Sequence, residues 1–432
     1  MTMLEPDIET MPRDELAQLQ LSRLKASVAR AYDHVPYYRA SFDGAGIDPR
    51  AVESLDALKA FPFVVKDVLR DNYPFGLFAV PREKVIRVHV SSGTTGKPTV
   101  VGYTARDLET WSGLMARAMA AAGLGPGDIV HNALGYGLFT GGLGFHDGAQ
   151  RLECTVIPIS GGLTERQILL LQDFKARGIF ATPSYALNIA DSAAAAGVDL
   201  ASGALEIGIF GAEPWSNEMR RELETRLGIK AYDHYGLSEI MGPGVAAECD
   251  RQDGLHGWED QFIFEVIDPE SGERLPAGER GELVITTLTK EALPMVRYRT
   301  RDLTVLTDEP CPCGRTHLRI QRVTGRDDDM LIIRGVNLFP SQIESVLLQF
   351  PGIAPHYQLV LRRQGALDAL TVEVEASPDV AAGGKEAMTD VGRDVAHHVK
   401  SLLGVTCAVQ VKGPGEVPRS EGKAVRVRDL RN

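Results

Sequence analysis

The sequence predicts an α/β protein with a large N-terminal domain and a small α+β domain at the C-terminus. Between residues 128 and 210, short apolar strands alternate with helical stretches such as TERQILLLQDFKAR (164–177). That order is typical of a mostly parallel sheet with flanking helices. Residues 260–307 predict an antiparallel β meander instead, with turns in the string DPESG (268–272). A third pattern begins near residue 328, so we predict domains of residues 1–326 and 327–432.

The first third of the chain contains three clear local signals. Residues 13–41 predict a helix or helix pair, because their leucines recur at helical spacing. Residues 84–90 alternate apolar and basic side chains, as a strand does. Thr104 followed three residues later by Asp107 predicts a capped helix start.

The remaining strands and helices are predicted from short apolar runs bounded by turn residues. The predicted strands of the large domain are residues 128–134, 154–160, 178–184 and 206–212. The predicted elements of the small domain are strands 330–335, 357–364, 367–376 and 407–412, with helices 341–349 and 387–403.

Composition excludes several classes of protein. The chain has 432 residues, of which 44% are hydrophobic and 24% charged, as in an ordinary globular protein. A net charge of −12 argues against nucleic-acid or anionic-membrane binding, which needs basic surface. No signal peptide and no apolar run of about 18 residues is visible, so we expect a cytoplasmic protein. Five cysteines, an odd number, favour free thiols.

The string SSGTTGKP (91–98) is the strongest candidate for a ligand site. Small residues allow close approach to a ligand, and hydroxyls, backbone N–H groups and Lys97 can all bind phosphate oxygens. A polyphosphate is the natural ligand, and a solvated surface turn is the alternative. A Walker A loop is excluded, because Lys97 precedes Pro98 and the string PTVVGYT predicts a strand where that motif opens a helix.

The loop resembles the phosphate loop of adenylate-forming enzymes, the acyl-CoA synthetase superfamily. Further strings resemble that family's motifs in the same order: GAEPW (211–215), YGLSE (235–239), YRTRD (298–302), GRDDDMLIIRGVNLFP (325–340) and EGKAVRV (421–427). Four others resemble its phenylacetate–CoA ligase branch: GYGLFTGGLG, TPSY, YGLSEIMGPGVAAEC and TKEALPMVRYRTRD. The resemblance extends over residues 15–430.

The resemblance implies an ATP-dependent, AMP-forming aryl-acid–CoA ligase. A carboxylate would attack the α-phosphorus of ATP to give an acyl-adenylate, and coenzyme A would then displace AMP. Two alternatives remain: an adenylate-forming enzyme that transfers the acyl group or AMP to a non-CoA acceptor, and a binding or scaffolding protein without chemistry. The implied partners are ATP, Mg²⁺, coenzyme A and an aromatic carboxylate, with a possible homodimer.

The resemblance also implies the roles of individual residues in nucleotide binding. The β- and γ-phosphates would be held by Ser91, Ser92, Gly93, Thr94, Thr95, Gly96 and Lys97. The adenosine site would be formed by Gly211, Ala212, Glu213, Pro214, Asp233, His234, Tyr235 and Gly236, with Asp302 on the ribose. Glu239 would bind Mg²⁺, a hard cation that prefers oxygen ligands.

Four residues would belong to the moving parts of the enzyme. The resemblance implies that Lys423 bridges the carboxylate and the α-phosphate. Arg326 and Asp328 lie at the domain junction, with Asp328 as the hinge about which the small domain rotates. Gly335 would line the pantetheine tunnel after that rotation.

An aryl pocket is implied with less detail, and ordinary core packing is the alternative for its apolar residues. Its candidate residues are Tyr136, Phe139, Gly142, Phe145, Asp147, Met241 and Pro243. Phe145 and Asp147 depart from the pattern expected of phenylacetate ligases. Phe145 could shorten the pocket, and Asp147 could pair with an amino, hydroxyl or ring N–H group. The acid could then be a substituted benzoate, a hydroxyphenylacetate or a heteroaryl acid.

The cysteines suggest a structural metal site. Cys249 and His256 precede the pair Cys311 and Cys313 by about sixty residues, and both halves flank the predicted meander. Three sulfurs and one imidazole complete a tetrahedral zinc site without an open position. The alternative is three buried or free thiols and an unrelated histidine.

Overall fold

The computed structural model describes residues 3–91, 98–323, 325–326, 330–333, 336–364, 367–419 and 422–431. Within these residues the strands form an 11-stranded sheet, a separate 4-stranded sheet near the C-terminus and two 2-stranded hairpins. This mixed α/β architecture confirms the predicted class. The parallel strands and the meander belong to one continuous sheet.

The N-terminal region is helical. Its helices are α1 (Pro6–Glu9), α2 (Arg13–His34), α3 (Pro36–Gly44) and α4 (Lys66–Asp71). Of the two predicted forms, one helix or a helix pair, the structure shows the pair, and the break falls at Val35, which is extended. Pro36 follows it; proline lacks the N–H needed to continue α2 but suits the first position of a new helix. Leu24 and Val28 of α2 are fully buried in the core of the large domain.

A hairpin and a long helix follow. They are β1 (Arg87–Ser91), β2 (Thr99–Tyr103) and α5 (Ala105–Ala121). The predicted helix start is confirmed as a reciprocal capping box. Asp107 N donates to Thr104 Oγ1 at 3.1 Å, and Thr104 N donates to the Asp107 carboxylate at 2.9 Å. Helix α5 therefore begins at a capped end directly after β2.

The centre of the large sheet is the predicted alternation of strands and helices. Its elements are β3 (Ile129–Asn132), α6 (Thr140–Arg151), β4 (Thr155–Ile157), α7 (Thr164–Phe174), β5 (Gly178–Ala181), α8 (Pro183–Ala195), β6 (Ile207–Phe210), α9 (Asn217–Leu227) and β7 (Lys230–Leu237). These strands pair in parallel in the order β4-β3-β5-β6-β7. Their carboxyl ends therefore lie along one edge, where open α/β sheets bind ligands.

Beyond β7 the sheet becomes antiparallel. The strands of this part are β8 (Gly242–Glu248), β9 (Leu255–Gly257), β10 (Phe262–Ile267), β11 (Arg280–Thr287), β12 (Tyr298–Thr307) and β13 (Arg319–Ile320). The predicted meander is confirmed as β10-β11-β12. Strand β8 has the sequence GPGVAAE, in which glycine and proline mask the strand pattern.

The C-terminal region has its own sheet and its own buried core. Its elements are β14 (Leu331–Ile333), β15 (Val336–Leu338), α10 (Pro340–Leu347), β16 (Ile353–Gln364), β17 (Leu367–Ala376), α11 (Pro378–Ala382), α12 (Gly384–Leu403), β18 (Cys407–Lys412) and β19 (Val427–Asp429). The domain boundary at residues 326–327 stays a prediction. Among the described residues we find no helix with the length and apolar character to cross a membrane.

A buried histidine sits in the parallel core. The His131 Nε2 atom contacts Gln167 Oε1 at 2.5 Å. The Gln167 amide nitrogen donates to the carbonyls of Ser160 and Gly162 at 2.7 and 2.8 Å, which turns its oxygen toward the imidazole. The imidazole therefore carries its proton on Nε2. Burial lowers the pKa of His131 to about 4, although the Gln167 hydrogen bond opposes that shift.

This histidine predicts an acid-sensitive stability. An unfolded histidine titrates near pH 6.5, so the unfolded chain binds more protons than the native one between about pH 4 and 6.5. Acidification across that window should cost up to about 3 kcal/mol of unfolding free energy. Urea titrations at about pH 6.5 and about pH 4 measure this loss. Between the two pH values, the wild-type protein should lose up to about 3 kcal/mol more unfolding free energy than His131→Gln. Equal losses in the wild-type protein and in His131→Gln would contradict the lowered pKa of His131.

Candidate active site

The candidate site lies at the carboxyl ends of the central strands, and parts of it fall outside the described residues. These undescribed site residues are Ser92, Gly93, Thr94, Thr95, Gly96, Lys97, Asp328 and Gly335. Their roles stay predictions. The described parts of the site come from the base of the loop, the ends of β6 and β7, and the C-terminal segment.

The base of the predicted phosphate loop touches the predicted magnesium ligand. Ser91 and Thr99 pair across the hairpin, and their hydroxyls hydrogen-bond to each other. The Thr99 hydroxyl also donates to Glu239 Oε1 at 3.4 Å. Glu239 follows β7 and is only 5% exposed. The fold thus brings together two motifs that lie about 140 residues apart in the sequence.

Sequence analysis missed two lysines beside Glu239. Lys66 Nζ lies 3.4 Å from Glu239 Oε1. Lys290 is buried, with its Nζ 3.4 Å from the Glu239 carbonyl oxygen and 4.9 Å from the centre of the Tyr103 ring. Desolvation lowers the pKa of Lys290 to about 8, although the nearby carboxylates of Asp107 and Glu239 act to raise it. The string TKEALP could have marked Lys290, whereas no motif surrounds Lys66.

The end of β6 approaches β7 closely. A Cβ on Gly211 would lie 2.5 Å from the His234 ring, so this position requires glycine. Ala212 has a φ of 69°, a left-handed conformation that is uncommon for a residue with a side chain. The His234 ring contacts the Phe210 carbonyl through Nδ1 at 2.9 Å, and burial lowers its pKa. The predicted adenosine motif is therefore a tight, partly strained turn at the sheet edge.

Asp302 is held by a tyrosine. The Tyr235 hydroxyl donates to Asp302 Oδ2 at 2.5 Å. The backbones of Asp302 and Arg326 also form an isolated antiparallel β-bridge at the predicted domain junction. The sequence also allows a structural salt bridge from Asp302 to Arg299 or Arg301; in the structure Arg299 contacts Glu282. The fold thus brings Tyr235, Asp302 and Arg326 together, and their roles in nucleotide binding stay predictions.

Three further residues of the predicted nucleotide site have different surroundings in the structure. Asp233 lies 3.4 Å from the guanidinium of Arg322. A Cβ on Gly236 would lie 2.1 Å from the Gly242 carbonyl oxygen, so glycine permits the close approach of β7 and β8. Pro214 is exposed.

The C-terminal segment lies against the GAEPW motif. The Glu213 carboxylate accepts hydrogen bonds from Ser184 N at 2.8 Å and Ala424 N at 2.7 Å. The Thr182 hydroxyl donates to the Gly422 carbonyl at 2.9 Å. Lys423 lies between these two contacts, so the backbone on both sides of it is fixed next to the predicted nucleotide site.

The candidate aryl pocket is built around α6. The Tyr136 hydroxyl accepts from Asn132 Nδ2 at 2.8 Å and lies 3.1 Å from His146 Nδ1. Burial raises the pKa of Tyr136 to about 12. A Cβ on Gly142 would lie 2.6 Å from a backbone oxygen, and Phe139 is 48% exposed. Tyr136 is therefore fixed by polar contacts, whereas Phe139 is not enclosed.

The two departures from the branch pattern have protein partners. Asp147 pairs with Arg87, whose Nη1 lies 2.5 Å from its carboxylate. Phe145 is fully buried, with its ring 4.7 Å from that of Phe180 and 4.8 Å from that of His234. The pairing of Asp147 with a polar group of the acid stays a prediction, and Arg87 already provides a partner for its carboxylate.

Two aromatic side chains hold the backbone where the loop after β7 leads into β8. The Met241 carbonyl accepts from the Tyr103 hydroxyl at 3.0 Å, and the Pro243 carbonyl accepts from the Trp111 indole at 2.9 Å. The Tyr103 and Trp111 rings stack with centres 5.0 Å apart. Met241 and Pro243 are thereby held in fixed positions.

The four predicted metal ligands form one buried cluster. Their ligand atoms all lie within 4.8 Å of one another. Cys249 Sγ lies 3.9 Å from Cys311 Sγ, and Cys313 Sγ lies 3.4 Å from His256 Nε2. A tetrahedral zinc site requires S···S and S···N distances of about 3.8 and 3.5 Å. The His256 Nδ1 atom faces a backbone carbonyl at 3.4 Å, the outer contact typical of a metal-bound histidine.

The chain matches family models along most of its length. Residues 51–289 match the model described as AMP-binding enzyme. Residues 335–431 match the AMP-binding enzyme C-terminal domain. A phenylacetate-coenzyme A ligase of Thermus thermophilus is 52% identical, over 99% of this chain and 100% of that protein.

Solved structures of one ligase match this fold in two states. A 2-hydroxyisobutyryl-CoA ligase in the postadenylation state matches with a TM-score of 0.93 and 33% identity, over 98% of this chain and 91% of that one. The same ligase in the thioesterification state scores 0.74 at 34% identity, over 99% and 92% of the chains. The arrangement described here is thus closer to the postadenylation state. The chain belongs to the AMP-binding enzymes, among the phenylacetate–coenzyme A ligases.

The Tyr235 hydroxyl gives a test of the ribose site. Tyr235→Phe removes one hydrogen bond to a carboxylate, an interaction of about 1.5–3 kcal/mol. We expect the KM for ATP to rise about tenfold, because Asp302 loses the contact that orients it. Tyr32→Phe is the matched control, since that hydroxyl donates to Asp43 at 2.8 Å on the surface. Steady-state kinetics in which both variants behave like wild type would contradict the role of Tyr235.

Proposed function

We propose that this protein is an ATP-dependent, AMP-forming aryl-acid–CoA ligase that works through an acyl-adenylate. The observation that carries the proposal is the position of Lys423, whose flanking peptide groups are bound to Thr182 and Glu213 at the nucleotide motif. The full-length likeness to phenylacetate-coenzyme A ligases supports the same activity.

The chemistry must bring two anions together, a carboxylate and the triphosphate of ATP. Positive charge has to be supplied where phosphoryl charge develops. The phosphate loop with Lys97 would hold the β- and γ-phosphates, and Lys423 would contact the α-phosphate and the acid. Lys66 adds a second cation beside Glu239 at the base of the loop.

Glu239 is the residue that would hold Mg²⁺. Its buried carboxylate and the neighbouring hydroxyl of Thr99 are oxygen donors, the type that this cation prefers. The ion would neutralise phosphate charge when bound. Lys66 would meanwhile stay within reach of the same carboxylate.

The adenosine would lie over the turn formed by Gly211, Ala212 and Pro214, with Asp233, His234 and Tyr235 around it. Asp302 would accept hydrogen bonds from the ribose hydroxyls. For the second step, the small domain would rotate near Asp328 and bring Gly335 to the pantetheine of coenzyme A. That rotation must break the contacts of Lys423 described above, which separates the two half-reactions in time.

The acid is proposed to be an aryl carboxylate of the phenylacetate type. Tyr136, Gly142, Met241 and Pro243 would form its pocket, with Phe139 at the open side. The ion pair between Asp147 and Arg87 removes the main argument for a cationic or hydrogen-bonding substituent on the ring. An unsubstituted phenylacetate-like acid is therefore favoured over the heteroaryl acids.

A transfer to another acceptor is the second candidate function. Gly335, the residue that would line the pantetheine tunnel, lies outside the described residues. With ATP and an aryl acid, the enzyme should release AMP rapidly when coenzyme A is present and slowly when it is absent. An AMP-linked product, or release unaffected by coenzyme A, would favour the second candidate.

Lys423 gives the direct test of adenylation. Lys423→Ala should lower acid-dependent ATP–pyrophosphate exchange by at least about 100-fold, because the amine that would contact the α-phosphate and the acid is lost. Lys400→Ala, which removes an exposed lysine of α12, is the control. Unchanged exchange in Lys423→Ala would overturn the mechanism.

We further propose that Cys249, His256, Cys311 and Cys313 hold a structural zinc ion. The buried donor set and its spacing support this, and a bound ion would tie β8 and β9 to the loop before β13. The cytoplasmic location and a homodimer remain predictions.

Zinc binding can be measured directly. Purified wild type should contain about one zinc per chain by elemental analysis, and Cys311→Ser should contain almost none and melt at least about 5 °C lower. Cys407→Ser, which removes a cysteine outside the cluster, should keep the metal. Metal-free wild-type protein that has the same melting temperature with added zinc would refute the site.

A further inference from the structure

The motif TPSY, residues 182–185, is not used by the proposed chemistry, yet it lies at the centre of the contact with the C-terminal segment. Thr182 is the N-cap of α8 and accepts from Tyr185 N at 3.3 Å. Ser184, in the first turn, donates its backbone N–H to Glu213 at 2.8 Å. Amides in the first turn have no partner within their helix, so an acidic side chain is well placed there.

The C-terminal segment binds this helix start through alternate residues. Thr182 Oγ1 donates to the Gly422 carbonyl at 2.9 Å, and Ala424 N donates to Glu213 at 2.7 Å. The Gly422 carbonyl belongs to the peptide group before Lys423, and the Ala424 N–H belongs to the peptide group after it. Two hydrogen bonds therefore fix the backbone of Lys423 from both sides.

Arg426 links the same contact to the body of the small domain. Its guanidinium donates to the Ser184 hydroxyl at 3.0 Å and lies 3.5 Å from Glu344 Oε2. It also lies 4.3 Å from the centre of the Tyr357 ring. Glu344 in turn accepts from Ser216 N of the large domain at 3.0 Å. The segment is thus attached to both domains at once.

We propose that Thr182, Ser184 and Glu213 form a socket that positions Lys423 for adenylate formation and is vacated before thioester formation. This inference rests on the proposed function and deepens it. It gives Glu213 a positioning role in place of the adenine contact expected from the sequence, because both of its oxygens are occupied by amides.

The socket should act on one half-reaction only. Glu213→Gln keeps the shape of the side chain but turns an NH₂ group toward one of the two amides, so one hydrogen bond is replaced by a repulsive contact. We expect acyl-adenylate formation to slow about 10- to 100-fold. A preformed acyl-adenylate needs no amine at the α-phosphate, so its reaction with coenzyme A should stay within about twofold of wild type.

The experiment measures both half-reactions in single turnovers of the full-length enzyme with phenylacetate. The first is followed by pyrophosphate release, and the second by CoA ester formation from supplied phenylacetyl-adenylate. Thr182→Val should show the same split as Glu213→Gln, and Thr182→Ser should restore the first step because it keeps the hydroxyl. Glu218→Gln is the matched control. Glu218 accepts a hydrogen bond from the Ser345 hydroxyl of the small domain at 3.1 Å, a contact with α10 and not with the C-terminal segment.

Each result has a defined meaning. Slow adenylation with normal thioester formation supports the socket. Both half-reactions slowed equally, or a raised KM for ATP without a change in kcat, would show that Glu213 binds nucleotide and would overturn the proposal. Normal rates in Glu213→Gln and Thr182→Val would overturn it as well. If wild-type protein itself never forms adenylate with an aryl acid, the proposed function fails, and not the socket alone.

Discussion

The proposed site depends on one long-range interaction, the hydrogen bonds that hold the peptide groups around Lys423 against Thr182 and Glu213. A lysine side chain is long and flexible, and ordering it costs conformational entropy. Fixing its backbone from both sides removes part of that cost before ATP and acid arrive. The strand-end turn that supplies Glu213 also carries the left-handed Ala212, so the C-terminal segment binds the same turn that would shape the proposed nucleotide site.

The electrostatics of the site complement that arrangement. Glu239 is buried beside Lys66 and Lys290 at the base of the phosphate loop, so opposite charges are already gathered where a polyphosphate would bind. Preorganised charges need not reorganise during the reaction, which is the main source of electrostatic catalysis. Asp147 and Arg87 differ from these groups, because their opposite charges already pair with each other near the candidate aryl pocket.

Local signals in the sequence were reliable where one segment determines its own structure. The capping box at Thr104 and the strand–helix alternation both follow from spacing and backbone chemistry. Contacts between distant segments were not predictable in this way. Ala424 and Glu213 are 211 residues apart, and nothing in either string indicates the hydrogen bond between them. Strand β8 was missed because its glycines and proline carry no alternation, although packing against α5 buries it.

The most direct measurement is a crystal structure of the enzyme with a non-hydrolysable sulfamoyl analogue of phenylacetyl-adenylate. We predict that Gly422 and Ala424 keep their hydrogen bonds to Thr182 and Glu213, while the Lys423 amine lies within about 3.2 Å of the sulfamoyl or acyl oxygens. An ordered analogue at the GAEPW motif with the Lys423 amine turned away from it, and the segment docked elsewhere, would contradict the account.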